Sequence, residues 1–413
     1  MLALKVLATL ALGVLPAAAS IDPQGPAKTF ALCQSKTCDP LVGCPDGTIY
    51  VSQTDKRASF TKIQDAILSI PNNTTPYYIL IGPGTYTEQL NVTRRGPLYL
   101  LGQTNAPHRG ASYAATYDNG TAANEVQVEW SSANHDNTGL IEDNSATQVL
   151  TVSPNLNATR TGSGPTGWPV PAGTPFGCTD FRAYNIDFRN LNENAQVSNG
   201  PALAVGIGYA NAGFYSCGFY SYQDTVFIGK LGNAYMYDSI VAGQTDFLYG
   251  FGTLYIEKST LALRGCGGGV VAWKGSNTTF ENKYGAYISD SYLGAANASV
   301  ASSIAGKCAL GRPWNAQIRS IFMETYFDSS ILAAGYVKWS TTDPRINNYT
   351  LQVVWNNYGP GYNLAAETAA YPITQVLDDQ SVQPYRYPVD VFLTPDGVPG
   401  NIDWIDQSVL VGR

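Results

Sequence analysis

Three short stretches, FYSCGF (214–219), MYDSIV (236–241) and IEKSTL (256–261), resemble one another and set Cys217, Ser239 and Ser259 at spacings of 22 and 20 residues. A period near twenty built from strand-like pieces points to stacked coils. Each unit is too small to bury its own apolar face and must cover it with its neighbours. Runs of the same kind recur from PYYILIGPGTY (76–86) and GPLYLLGQT (96–104) to GAYISDSYLG (285–294) and RSIFMETYFDSSI (319–331), broken by Gly, Asn and Asp. The pattern predicts an all-β chain wound as a parallel β-helix. Composition agrees. Charged residues are 13% of the 413, against about a quarter in ordinary globular proteins, and Gly and Tyr are abundant. No stretch reads as a long amphipathic helix.

The same register aligns two acids. Seven residues on from Cys217 is Asp224, and seven on from Ser239 is Asp246. Neighbouring coils lie about 4.8 Å apart, so the carboxylates are expected side by side on one face. Seven on from Ser259 is Cys266, so no third acid extends the pair. Asp224 stands in SYQDTVF (221–227), which alternates like a strand, although Asp is disfavoured in strands. A carboxylate there is tolerable if it faces an open cleft. Two carboxylates so close cannot both ionise easily, so one pKa rises. That arrangement suits a general acid beside a nucleophile or base.

The start, MLALKVLATLALGVLPAAAS, has one Lys, an apolar run and small residues, the pattern of a secretory leader cleaved before Ser20. The run is too short to span a membrane. Asn-x-Ser/Thr sequons at Asn72, Asn73, Asn91, Asn119, Asn157, Asn277, Asn297 and Asn348 fit a glycosylated, exported chain. Of seven cysteines, Cys33, Cys38 and Cys44 are expected to staple the mature N-terminus. The odd number leaves at least one thiol unpaired, and no Cys-x-x-Cys supports zinc. A net charge of −7 and pI near 4.9 exclude nucleic acid and acidic membranes as expected partners.

YQDTVF (222–227), GQTDFLYGFG (243–252), LGRPW (310–314) and GPGTYTEQL (82–90) resemble, in order and spacing, motifs of the pectin methylesterases, carbohydrate esterase family 8. The likeness runs from about residue 47 to about residue 340. It implies a single-stranded right-handed parallel β-helix that removes methyl esters from homogalacturonan without metal or cofactor. Its expected partner is pectin, and the chain is expected to be monomeric. Asp246 is similar to the family's nucleophile and Asp224 to its acid and base. Gln223 is similar to an oxyanion donor, and Arg312 to the group that holds the nucleophile. Trp314, Tyr249 and Phe227 stand where the family's substrate-lining aromatics are expected. One departure stands out: the family usually carries a second Gln where Pro201 opens PALAV (201–205), so Gln196 or a backbone N–H would have to serve. The motifs of polygalacturonases and of serine esterases are absent, and His108 and His135 lie in no catalytic context. Arg312 fits the esterase better than the base of a pectate lyase. A catalytically impaired carbohydrate-binding β-helix is the alternative.

The expected organisation is therefore a leader over 1–19, a Cys-bearing cap over 20–46, the β-helix over 47–363, and a tail over 364–413 packed along its side.

Overall fold

The computed structural model describes residues 29–105, 124–134, 143–161, 169–192, 200–275, 283–394 and 396–410. The predicted leader, Asn119, Asn277, Gln196, His108 and His135 lie outside them. Every ladder among the described strands is parallel, and the strands form three sheets of 11, 8 and 7. The central coils each contribute one strand to each sheet, as in Asn211–Tyr215, Gly218–Tyr220 and Val226–Ile228. This is the parallel β-helix expected from the repeat.

The register is also as read. Gly218 pairs with Ile240 and Ile240 with Thr260, which puts Cys217, Ser239 and Ser259 in line. Their corner is a hydrogen-bonded ladder. The Cys217 N–H donates to Ser239 Oγ at 3.2 Å, Ser239 N–H to Ser259 Oγ at 3.0 Å, and Ser259 N–H to Ser291 Oγ at 3.1 Å. One residue earlier on each coil, Ser216, Asp238, Lys258 and Asp290 adopt φ of 52°, 50°, 49° and 44°. A single left-handed residue turns the chain from one sheet to the next, and polar residues bear that conformation best.

Alternation along each strand sends Val226, Ile228, Leu248 and Val271 into the continuous core and their neighbours outward. On the outer face of the 11-stranded sheet, Tyr235, Tyr255 and Tyr287 stack at 6.1–6.2 Å. Val382, Val391, Phe392, Trp404 and Ile405 of the C-terminal segment cover them. That segment does more than pack alongside. Gln375–Val376 pairs with Leu351–Trp355 and ends the sheet. An unpaired last strand would present open N–H and C=O groups, and the short added strand blunts that edge.

GPGTYTEQL proves structural. Tyr86 is buried with its hydroxyl donating to the Gly82 carbonyl, and Glu88 accepts the Ile63 and Gln64 N–H groups that open the helix Ile63–Ser69. Disulfides join Cys33 to Cys44 and Cys266 to Cys308, while Cys38 is exposed and Cys178 and Cys217 are buried as thiols. Asn72, Asn73, Asn91, Asn157 and Asn348 are exposed, and Asn297 is half-buried. Among the described residues no helix is long and apolar enough to cross a membrane.

Candidate active site

The corner between the 8- and 7-stranded sheets carries the acids. SYQDTVF is not one strand. The chain leaves Gly218–Tyr220, turns at Asp224 with φ of 61°, and enters Val226–Ile228. Asp246 turns the next coil with φ of 47° between Ile240–Thr245 and Leu248–Gly250. Gln223 bridges Thr245 and Val226 pairs with Leu248, so Asp224 and Asp246 occupy equivalent positions on adjacent coils. The third coil departs from the count of seven. Gly243 faces Leu263 but Thr245 faces Gly267, so two extra residues slip the register and the position falls on Gly268, not Cys266.

That glycine is needed. Its φ is +77°, and a Cβ there would lie 2.6 Å from Asp246 Oδ1 and 2.7 Å from Arg312 Nε. The space is taken by a two-pronged ion pair. Arg312 donates from Nε to Asp246 Oδ1 at 3.0 Å and from Nη2 to Oδ2 at 2.6 Å. The guanidinium also lies 4.2 Å from the Trp339 ring, which Arg345 shares at 4.1 Å, and Arg345 donates to the Trp314 carbonyl at 2.6 Å. Sequence reasoning missed Trp339 and Arg345, which lie outside the quoted motifs.

The two acids differ in their surroundings. Burial pushes Asp224 well above the usual carboxylate range, and the Asp246 charge pushes the same way; Arg312 and an Asn144 hydrogen bond only partly offset this. Burial also raises Asp246, but the direct Arg312 hydrogen bonds oppose it. The pair titrates as a unit, with Asp246 the member that ionises first. Asn144, another residue the sequence did not signal, donates from Nδ2 to Asp224 Oδ2 at 3.1 Å.

The aromatics divide. Phe227 and Tyr249 face outward from their strands but are buried with Leu203 and Ala272 in a small cluster, against which Phe251 and Trp314 pack. The expectation that Phe227 and Tyr249 offer surface to a sugar is corrected: alternation sets their side of the sheet, but neighbouring rings cover them. Tyr249 lies 5.6 Å from Trp314, the only one of the three that is partly exposed. Beneath Trp314, the buried Lys274 ammonium sits 3.4 Å from the ring centroid and donates to the Thr161 carbonyl at 3.4 Å. Burial pushes it down to about 7, against the pull of Asp143. Beside Pro201 stands Asn134, whose N–H donates to the Pro201 carbonyl at 2.8 Å. Gln223 is half-buried, and its side chain makes no hydrogen bond among the described residues.

The comparisons with known proteins agree with this geometry. A pectinesterase family model matches residues 119–396. Pectinesterase 31 of Arabidopsis thaliana is 25% identical over 334 residues, covering 81% of this chain and 89% of its own. The crystal structure of the pectin methylesterase from Aspergillus niger superposes with a TM-score of 0.63 at 21% identity, covering 91% of this chain and 99% of that one. The carrot pectin methylesterase gives 0.62 at 18% identity, covering 91% and 98%. The fold is thus the right-handed parallel β-helix of those enzymes, and the chain belongs to the pectinesterase family.

Proposed function

We propose that this protein is an exported esterase that hydrolyses methyl esters of homogalacturonan to pectate and methanol. The observation that carries the reading is the asymmetry of two adjacent corner carboxylates, one clamped by Arg312 and the other buried with no cation in contact among the described residues. A clamped, ionised Asp246 is a nucleophile held in one orientation. Its oxygen attacks the ester carbonyl carbon, and Gln223 donates to the oxyanion. As the C–O bond to methoxide breaks, protonated Asp224 passes its proton to the leaving oxygen and methanol departs. The resulting mixed anhydride is opened by water. Asp224, now a carboxylate, takes a proton from that water as its oxygen attacks. Collapse releases the galacturonic acid and restores the Asp246 carboxylate. The partly exposed Trp314 is the sugar platform, steadied from below by Lys274. The leader-like start and the exposed sequons support action outside the cell.

The test is methanol release from highly methylated pectin, together with a nitrophenol burst from an activated aryl ester. Asp224→Asn is expected to lose about 10²–10⁴-fold on methyl esters yet keep the burst, because a nitrophenolate leaves without a proton. Asp246→Asn is expected to lose both. A wild-type protein that binds pectin but releases no methanol would be a carbohydrate-binding module instead. A burst surviving in Asp246→Asn and lost in Asp224→Asn would reverse the roles.

A further inference from the structure

A closed circuit of hydrogen bonds surrounds Asp224. The Asn144 amide nitrogen donates to Asp224 Oδ2 at 3.1 Å, and the Asn134 amide nitrogen donates to Asn144 Oδ1. Asn134 is tied through its backbone N–H to the Pro201 carbonyl, and the next residue, Ala202, donates its N–H to the Gln223 carbonyl at 3.1 Å. Gln223 leads directly back to Asp224. Four separate segments meet in this ring: the loop at Asn134, the turn at Asn144, the strand approach at Pro201, and the corner itself. The Asn144 side chain has no local duty that would explain it. Asp143, not Asn144, caps the 3₁₀ turn Asn144–Thr147, and the Thr147 hydroxyl is received by the Asn144 backbone carbonyl. The carboxamide oxygen accepts from Asn134, and its nitrogen donates to Asp224 and also faces the buried Tyr249 hydroxyl.

An amide has one accepting and one donating end, so the partner at one end decides what the other presents. Asn134 donates to Asn144 Oδ1, which obliges Asn144 to offer N–H to Asp224. In a protonated carboxyl the oxygen that receives a donor is the carbonyl oxygen, and the proton sits on the other. Taking the proposed acid role of Asp224 as its premise, we propose that Asn144 is a positioning residue. It holds Asp224 Oδ2 as the acceptor so that Oδ1 alone carries the transferable proton, with Asn134 setting the sense of the amide. The charged and titratable groups that bear on Asp224 are Asp246 on the next coil, Arg312 three coils on, and the buried Tyr249 hydroxyl. Asp246 disfavours the Asp224 carboxylate and Arg312 favours it. Asn144 also favours it, because an N–H donor stabilises the charge.

The test is Asn144→Ala. Its kcat on methylated pectin is expected to fall about tenfold, the worth of one such hydrogen bond. The basic limb of its kcat/KM profile is expected to move to higher pH, because the carboxylate has lost a donor. A residue that merely filled space would not move that limb. Asn134→Ala is expected to change both quantities in the same direction and less. The double variant is expected to be no worse than Asn144→Ala alone, because Asn134 acts through Asn144. A second readout does not need turnover. The infrared C=O band of protonated Asp224, assigned by its absence in Asp224→Asn, is expected to shift to higher frequency in Asn144→Ala. An unmoved band refutes the inference even if the wild-type protein proves inactive, in which case the proposed function falls by itself. With an active wild type, an unmoved basic limb, or losses that multiply in the double variant, equally overturns it.

Discussion

Replacing Gly268 by Ala tests the clamp on Asp246 without substituting either acid or the arginine. The added methyl would stand 2.6 Å from Asp246 Oδ1 and 2.7 Å from Arg312 Nε, on top of the 3.0 Å hydrogen bond between those two atoms. Both distances are shorter than any contact a Cβ tolerates, so the guanidinium must withdraw and that prong is lost. The other prong, Nη2 to Oδ2 at 2.6 Å, can re-form after a small swing. A hydrogen bond to a charged group contributes about 1.5–3 kcal/mol, so losing one costs about 10- to 150-fold in rate. The φ of +77° adds about 1–2 kcal/mol of backbone strain, which alone could lower activity by unfolding the corner. Gly306→Ala separates the two effects. Its φ is +67° and nothing lies within 4 Å of its Cβ position, so it carries strain without collision. The assay is kcat for methanol release from methylated pectin beside the thermal midpoint of each variant. Gly306→Ala is expected to lower the midpoint and keep kcat. Gly268→Ala is expected to lower both. The reasoning is refuted if Gly268→Ala keeps kcat within about threefold, since even one lost prong predicts more, or if Gly306→Ala loses as much.

The Cys266–Cys308 disulfide closes a loop of 42 residues between the Gly268 corner and the segment leading to Arg312. On the chain-entropy account it stabilises by about 4 kcal/mol, so the Cys266→Ser/Cys308→Ser variant should unfold at clearly lower urea, and an unchanged midpoint would show the bridge to be idle. Glu367 is buried with no hydrogen-bond partner for either carboxylate oxygen among the described residues, and burial pushes it up to about 8. The folded state then holds a proton that the unfolded chain releases near pH 4.5, so this contribution is present at low pH and lost as pH rises through about 8. The thermal midpoint should fall between pH 5 and 9 more steeply in the wild type than in Glu367→Gln; parallel profiles would mean that Glu367 is not held neutral.

What could be read from sequence follows from which contacts repeat. Coil stacking forces equivalent positions into one column, so the 22- and 20-residue spacing exposed the corner ladder through Ser239 and Ser259 and the pairing of Asp224 with Asp246. The same logic failed where the repeat itself changed length. Two inserted residues before Gly267 moved the column from Cys266 to Gly268; Gly265 and Gly267–Gly269 mark a bulge there, but they do not give its length. Alternation set Phe227 and Tyr249 on the outward side, but it cannot say what covers that side: Phe251 packs against Phe227, and Trp314 against Tyr249. Arg312 meets Asp246 across 66 residues and came only through the family likeness of LGRPW. Asn134, Asn144 and Trp339 lie outside the repeating strands, where no period exists to align them. An irregular connection is free of the column's constraint, and so it is where a β-helix can place a side chain at a chosen angle to a corner. The residues hardest to read from the repeat are therefore those that complete the site, as Asn144 does over Asp224.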